Sequence, residues 1–169
     1  MSKILVARSA DLGFIKVVGR GSFQNSGCLK AFYQQLLKEG VHRFVVDLDA
    51  CTYLDSTFLG ILLGLGLKLK DGGNGLLHIL NASPRNLELL KNLGLDRLIQ
   101  IDSPRAKLNG VTEGQLEEVA CPVPTRAEAA PTILEAHEAL MEFDPRNVPK
   151  FKDVVEFLRD DLGQTAGNN

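Results

Sequence analysis

The sequence predicts an α/β fold, with a mixed β-sheet, helices on one side of the sheet and a helical C-terminal extension. Three observations predict it. Short apolar segments alternate with amphipathic helical segments as far as Ile101, which is typical of a largely parallel sheet with crossover helices. An apolar hairpin precedes this alternation, so the sheet should be mixed. Beyond Asp102 the chain becomes polar, and further amphipathic helical patterns follow.

The first three elements are a hairpin and a helix. Ile4–Ala7 and Phe14–Val18 are predicted strands joined by a turn at Asp11-Leu12-Gly13. An amphipathic helix follows, with Asn25 or Ser26 as its N-cap and Gly40 as its end. Its apolar face has the i, i+3, i+4, i+7, i+8 spacing of one helix face. The face consists of Leu29, Phe32, Tyr33, Leu36 and Leu37.

Two further helices alternate with three strands. The apolar run at 44–48 predicts a strand buried on both faces, and a glycine-rich breaker ends the helix after it. A serine–proline pair provides the cap and first position of the next helix. The predicted elements are strand Phe44–Leu48, helix Phe58–Lys70, strand Leu76–Leu80, a helix opened by Ser83-Pro84, and strand Arg97–Ile101. The order is therefore β-β-α-β-α-β-α-β.

The C-terminal region carries two amphipathic patterns. One helix is predicted from near Pro131 to Phe143, where Thr132 and Glu135 have the spacing of a capping box, and a second contains Phe151. Their apolar stripes should pack on the first domain, on each other or on a partner. We predict a domain over residues 1–120, a helical extension over residues 121–169, and disorder from Gly163 onward.

Composition excludes several classes of function. The chain has 169 residues and a net charge of -2, which gives no electrostatic reason to expect nucleic acid. Neither a signal peptide nor a run of about 18 apolar residues is present, so we expect a cytoplasmic protein that does not enter a membrane. The histidines and cysteines are scattered, so we predict reduced thiols and neither a metal site nor a cofactor. They are His42, His78, His137, Cys28, Cys51 and Cys121.

The stretch Asp55-Ser56-Thr57 stands between the buried strand and the second helix. One of these residues suffices as a helix N-cap, and capping alone would explain the stretch. However, α/β sheets place their sites where a strand leads into a helix. A phosphate on Ser56 would gain from the helix N-terminus and be opposed by Asp55. Gly60 and Gly64 leave a narrow strip on the same helix, for packing on the sheet or for another backbone.

These residues resemble the signature of STAS domains, specifically of bacterial anti-sigma factor antagonists. Their usual motif is Asp-Ser-Ser/Thr-Gly-Leu-Gly, and here Asp55-Ser56-Thr57-Phe58-Leu59-Gly60 stands at the same junction. The resemblance covers about Ile4 to Ile101 and includes the hairpin, the element order and the late Leu93-Gly94-Leu95. It implies a STAS fold and a non-enzymatic regulatory function.

The resemblance also implies a mechanism. An unphosphorylated antagonist binds an anti-sigma factor, often also its serine kinase; phosphorylation breaks the complex and a phosphatase resets it. By position the phosphoacceptor is Ser56. The other implied partner-binding residues are Asp55, Thr57, Phe58, Ser22 and Asn25.

Two features depart from the family pattern. Phe58 replaces the motif glycine and could block a partner or form a different contact. The helical extension could cover the partner surface, support a dimer or bind something else. The resemblance also implies a last helix of the STAS core, for which Thr112–Ala120 is the nearest candidate.

Two other functions remain open. A STAS domain that has lost phosphorylation could serve as a scaffold or ligand-binding module. Asp47 and Asp49 imitate the nucleophile motif of haloacid-dehalogenase-type phosphatases, where paired carboxylates hold Mg²⁺ and attack a phosphoryl group. His137 has no second histidine four residues on, so it is predicted to be a surface or packing residue of the extension.

Overall fold

The computed structural model describes residues 1–102, 111 and 113–167. Within this part of the chain, a seven-stranded mixed sheet carries helices on one face. The strands are β1 Lys3–Ser9, β2 Leu12–Gly21, β3 Arg43–Asp47, β4 Cys51–Leu54, β5 Leu76–Leu80, β6 Gln100–Ile101 and β7 Glu117–Glu118. The helices are α1 Phe23–Lys38, α2 Ser56–Asp71, α3 Pro84–Asn92, α4 Arg126–Phe143 and α5 Val148–Gly167. The predicted fold class is therefore confirmed.

The sheet has the order β6-β5-β3-β2-β1-β7. β1 pairs antiparallel with β2 and β7, while β2, β3, β5 and β6 run parallel. The last three residues of the long strand β2, Gly19–Gly21, pair in parallel with β4. The predicted hairpin is present, but its turn is Ala10–Asp11, because β2 already begins at Leu12.

The two faces of the sheet are covered differently. Residues alternate across β2 and β3, so that Ile15 and Phe44 point to the helices and Phe14 and Val45 to the other side. The helical face holds the main core, which also includes Leu140 of α4. The other face has a small cluster.

Helix α2 is the centre of the molecule. Ten of its residues are buried, on all sides of the helix. A helix that is apolar all round is buried on both sides, and α2 lies between the sheet and α4.

Several predicted boundaries are wrong for identifiable reasons. Ser22 caps α1 in place of Asn25 or Ser26, and α4 begins at Arg126 because Thr125 and Glu128 form a capping box before Pro131. The strand β4 was missed. It stands between the apolar run of β3 and the Asp55 stretch.

The expected helix at Thr112–Ala120 is absent. Glu113–Gln115 forms a 3-10 turn, and Glu117–Glu118 pairs with β1 as an edge strand; Thr112 lies outside the described residues. Helix α5 continues to Gly167, so disorder from Gly163 is wrong as far as that residue. Residues 168 and 169 lie outside the described part.

Two regions are distinguished below. The sheet domain comprises residues 1–102 and 113–118, with β1 to β7 and α1 to α3. The C-terminal extension comprises residues 121–167, with α4 and α5.

Candidate functional site

Asp55 joins the N-termini of two helices. It follows β4 directly and caps α2, where its Oδ1 accepts a hydrogen bond of 2.8 Å from the backbone N–H of Phe58. Its Oδ2 accepts a second bond of 2.8 Å from the N–H of Phe23, the first residue of α1. A carboxylate near a helix N-terminus is favoured by the free N–H groups and the macrodipole. One charged group therefore fixes two helix starts at the same edge of the sheet.

Ser56 is the first residue of α2 and its side chain is half-buried. Its Oγ lies 2.9 Å from Nε2 of His137, which belongs to α4. The other ring nitrogen, Nδ1, lies 2.6 Å from the carbonyl oxygen of Ile133. A carbonyl can only accept, so Nδ1 carries the hydrogen and Nε2 of the neutral ring accepts one. When the ring is neutral, the Ser56 hydroxyl therefore donates to Nε2 of His137.

His137 is the site residue that sequence reasoning missed. The prediction gave it a place on the helix surface or in the packing of the extension, and the structure shows the second. His137 is 4% exposed, and its ring packs against that of Phe151 in a T-shaped arrangement with a centroid distance of 4.9 Å. No sequence pattern pairs His137 with Ser56, because 81 residues separate them.

Thr57 and Phe58 lie inside the molecule. Phe58 is fully buried in the main core, and its ring would lie 3.0 Å from a Cβ placed on Gly21 of β2. The ring fills space between α2 and the sheet, so Phe58 presents no surface to a partner in this structure. Thr57 is 4% exposed and is likewise not a surface group.

Ser22 and Asn25 shape the start of α1. Ser22 accepts a bond from the N–H of Gln24, and the side chain of Asn25 accepts one of 2.9 Å from the N–H of Ser22. The Asn25 amide also donates to the carbonyl of Arg20. Asn25 is buried and Ser22 half-buried, so the pair fixes the loop beside Asp55, and only Ser22 has surface to offer.

The narrow strip on α2 is filled by the extension. A Cβ on Gly60 would lie 2.4 Å from the carbonyl oxygen of Ala136 in α4, and the two other nearest atoms also belong to Ala136. One turn on, a Cβ on Gly64 would meet only the hydroxyl of Tyr33, at 3.5 Å. Gly60 therefore allows α4 to approach the backbone of α2, rather than α2 to approach the sheet.

The extension is also attached at the end of α3. The last carbonyls of a helix lack partners within the helix. Here the Asn147 amide donates to the carbonyl of Leu93 at 3.0 Å, and Lys150 donates to that of Asn92 at 2.8 Å. Both donors come from the extension, so it completes the hydrogen bonding of α3.

Asp144 forms an ion pair beside these bonds. It is 2% exposed and accepts hydrogen bonds from the Arg146 guanidinium, and its Oδ2 lies 2.7 Å from a nitrogen of Arg97 in the sheet domain. Hydrogen bonds from Arg146 and the charge of Arg97 lower the pKa of Asp144 to about 2. The carboxylate stays charged at any ordinary pH.

Cys28 of α1 and Cys121 form a disulfide. The expectation of reduced thiols is therefore wrong for this pair, which is 93 residues apart in sequence and forms no short motif that sequence reasoning could use. Cys51 is the free cysteine; it is buried, and burial raises the pKa of its thiol. The disulfide attaches the first residue of the extension to α1.

The surface beside Ser56 carries aromatic and basic groups. Tyr53 of β4 has the guanidinium of Arg20 at 5.1 Å from its ring centre and that of Arg85 at 5.0 Å. Tyr53 and Ser56 also line a cavity of about 450 Å³ between α2, α3 and α5. Sequence reasoning found neither feature, because the side chains come from three separate elements.

The carboxylates of the phosphatase hypothesis have local roles. Oδ1 of Asp47 accepts hydrogen bonds of 3.0 Å from the Asn81 amide and from the N–H of Asp49. Within the described residues, no group of three or more His, Cys, Asp or Glu side chains could hold a metal ion. No helix in that part of the chain is long and apolar enough to cross a membrane.

Comparison with known proteins gives a family and a fold. Residues 4–100 match the family model described as "Mlab, STAS domain". No curated protein matches the chain.

Three solved structures are similar. A putative anti-sigma factor antagonist from Thermotoga maritima has a TM-score of 0.53 and 18% identity, with 58% of this chain and 85% of that chain covered. An anti-sigma factor antagonist from Mycobacterium paratuberculosis has a TM-score of 0.53 and 18% identity, covering 79% and 94%. Unphosphorylated SpoIIAA, an anti-sigma factor antagonist, has a TM-score of 0.50 and 16% identity, covering 59% and 87%. At these low identities the structural likeness shows a shared fold alone.

Proposed function

The chain belongs to the STAS-domain family, and from this premise we propose that it is a non-enzymatic regulatory protein of the anti-sigma factor antagonist kind. In this proposal it binds an anti-sigma factor with serine kinase activity while Ser56 is unmodified. Phosphorylation of Ser56 ends the binding, and a phosphatase restores it. The setting we propose is the bacterial cytoplasm, where the Cys28–Cys121 disulfide would belong to an oxidised form of the protein.

The observation that carries the proposal is the position of Ser56. Its hydroxyl stands on the first residue of α2, directly after the Asp55 cap and at the edge where β2 and β4 end. A phosphate at a helix N-terminus gains from free N–H groups and the macrodipole, so the modified state is sustainable there.

At this position, phosphorylation would also change the structure of the junction between α1 and α2. A phosphate brings about two negative charges close to Asp55. Because Asp55 holds the N–H groups of Phe23 and Phe58, repulsion of its carboxylate would weaken the junction of α1 and α2. A partner that recognises this junction would then distinguish the two states. We propose that the half-buried residues Asp55, Ser56 and Ser22 form the part of the junction that reaches the surface, with Thr57 and Asn25 supporting it from beneath.

Phosphoprotein mass spectrometry of the protein purified from its host tests the proposal. We expect phosphate on Ser56, and loss of the complex with the kinase in Ser56→Asp but not in Ser56→Ala. Thr52→Ala is the matched control, because Thr52 is an exposed hydroxyl on β4 close in sequence. A Ser56 that never carries phosphate, with binding indifferent to Ser56→Asp, would reject the proposal.

A scaffold or ligand-binding module without phosphorylation is the second candidate. The cavity of about 450 Å³ favours it, because Ser56, Tyr53 and Lys150 give its largely apolar wall a few polar groups. A dimer is a further option, since α5 leaves Val154 and Phe157 exposed. Sedimentation equilibrium measures the molecular mass in solution. A dimer mass for the wild type and a monomer mass for Phe157→Ser would support a dimer through α5, and a monomer mass for both would exclude it.

A further inference from the structure

The hydrogen bond between Ser56 and His137 occupies the Ser56 hydroxyl, which is the group that a kinase would phosphorylate. In phosphoryl transfer to a serine, the kinase's catalytic carboxylate accepts the proton of the attacking hydroxyl. Here that proton points to Nε2 of His137, since Nδ1 donates to the Ile133 carbonyl. The hydroxyl is thus oriented into the extension and away from any incoming base.

The extension also occupies the space in front of Ser56. The buried ring of His137 is backed by Phe151 of α5, and the α4 backbone approaches α2 at Gly60. A partner that contacts the start of α2 closely needs the same space. Both cannot be there together, so the extension and the partner should exclude each other.

The contact between α4 and the sheet domain is of a kind that allows α4 to be displaced. The buried apolar residues of α4 are three alanines and Leu140, whereas those of α2 include leucines, isoleucine and phenylalanine. Small side chains bury little apolar area, so most of the specificity comes from close approach and polar bonds. The disulfide between Cys28 and Cys121 would keep a released α4 attached to α1.

We infer that the C-terminal extension is an autoinhibitory cover, in which α4 docks on α2 and withholds Ser56 from the kinase until it is displaced. The inference rests on the proposed function, since it concerns the same serine. It adds that the docking of α4 sets how much of the protein can be phosphorylated.

Two full-length variants are designed to weaken the contact between α2 and α4, one by a substitution in α2 and the other by a substitution in α4. Gly60→Ala places a Cβ against the Ala136 backbone. Gly64→Ala, one turn on, is its matched control, because a Cβ there would meet only the Tyr33 hydroxyl, at the ordinary contact distance of 3.5 Å. Ala136→Leu enlarges the buried contact from the extension, and Ala127→Leu, at an exposed position of the same helix, is its control. The second pair leaves the sheet domain unchanged, which protects the test against misfolding of the first.

Each protein is measured twice. Hydrogen exchange of the purified protein reports the docking of α4, with β2 and β3 as internal reference for the fold. The phosphorylated fraction of the Ser56 peptide, from protein expressed in the native host, reports access. Overpacking of this size should raise α4 exchange about tenfold or more in Gly60→Ala and Ala136→Leu. Phosphorylation should rise with it several-fold, and both controls should match the wild type.

The contrary outcomes differ. Faster α4 exchange with an unchanged phosphorylated fraction overturns the cover and leaves the proposed function standing. Unchanged α4 exchange in both variants overturns the docked contact itself. Absence of phosphate from Ser56 in every variant, even with α4 released, rejects the proposed function and this inference together.

Discussion

The sheet domain and the C-terminal extension are held together by different kinds of contact. The sheet domain is built on large buried side chains such as Phe44, Phe58 and Leu62. The extension contributes Ala136 and Leu140 to the same core. Ala139, Phe143 and Phe151 also pack against this core, and hydrogen bonds, ion pairs and a disulfide join the extension to α1, α2 and the end of α3.

Because of this difference, the contacts that stabilise the sheet domain are largely distinct from those that attach the extension to it. Apolar burial scales with area and has no direction, so it stabilises the sheet domain as a unit. Hydrogen bonds need geometry and can be exchanged for bonds to water or to a partner at small net cost. We therefore expect the extension to be displaced more easily than the sheet domain unfolds, although its departure uncovers the face of α2 that α4 buries.

The largest effect is expected from Phe58→Ala in the sheet domain. Removing this fully buried ring should lower the free energy of unfolding by about 3–5 kcal/mol. Urea denaturation followed by circular dichroism measures it. Phe157→Ala, at an exposed site on α5, is the control and should change stability by no more than about 0.5 kcal/mol. A change in the free energy of unfolding of less than about 1 kcal/mol for Phe58→Ala would contradict the claim that large buried side chains hold the sheet domain together.

The next effect is expected from the disulfide. Replacing Cys28 and Cys121 by serine should lower stability by about 2–4 kcal/mol, because the unfolded chain loses its crosslink. Thermal unfolding with and without dithiothreitol measures it. The reductant should shift the wild type and leave the double variant unchanged. If the reductant shifts both equally, another effect is responsible.

A smaller effect is expected from Asn147→Leu. The Asn147 amide donates to the carbonyls of Leu93 and Leu140, and its loss leaves two buried acceptors without this donor. The cost should be about 1–3 kcal/mol. Hydrogen exchange should show faster opening of α5 and unchanged β3. Lys152→Met is the control, since Lys152 is exposed on α5, and equal loosening of β3 would show that the two regions unfold together.

The smallest effect is expected from pH, through Asp144. Arg146 and Arg97 lower the pKa of Asp144 to about 2, below the value of about 3.9 in an unfolded chain. The unfolded state therefore binds the proton first, and the stabilisation by Asp144 is complete above about pH 4 and lost as the pH falls towards 2. The difference in urea midpoint between wild type and Asp144→Asn should narrow over this range. A constant difference would contradict the role of the charge.

The sequence was sufficient for features that depend on local patterns. The hairpin, β3, β5 and α2 follow from apolar runs and periodicity, and Asp55 was identified as a candidate cap. β4 was missed because Asp47-Leu48-Asp49 ends one apolar run and only five residues remain before Asp55. The last four of them form a strand because β2 is long enough to pair with them beyond β3.

The rest of the site depends on contacts that sequence spacing does not encode. His137 reaches Ser56, and Cys121 reaches Cys28, only because α4 folds back across α1 and α2. Phe58 was interpreted from its motif position, which says nothing about the direction of its side chain. Whether it faces a partner or the sheet is decided by the packing of α2.

The separation of Ser56 and His137 in the sequence determines how long after the serine the histidine is synthesised. Ribosomes add about 5–20 residues per second. Since 81 residues separate the serine from the histidine, His137 is made on the order of 4–16 s after Ser56. Every newly made copy thus passes through an interval in which this serine exists and its covering histidine does not.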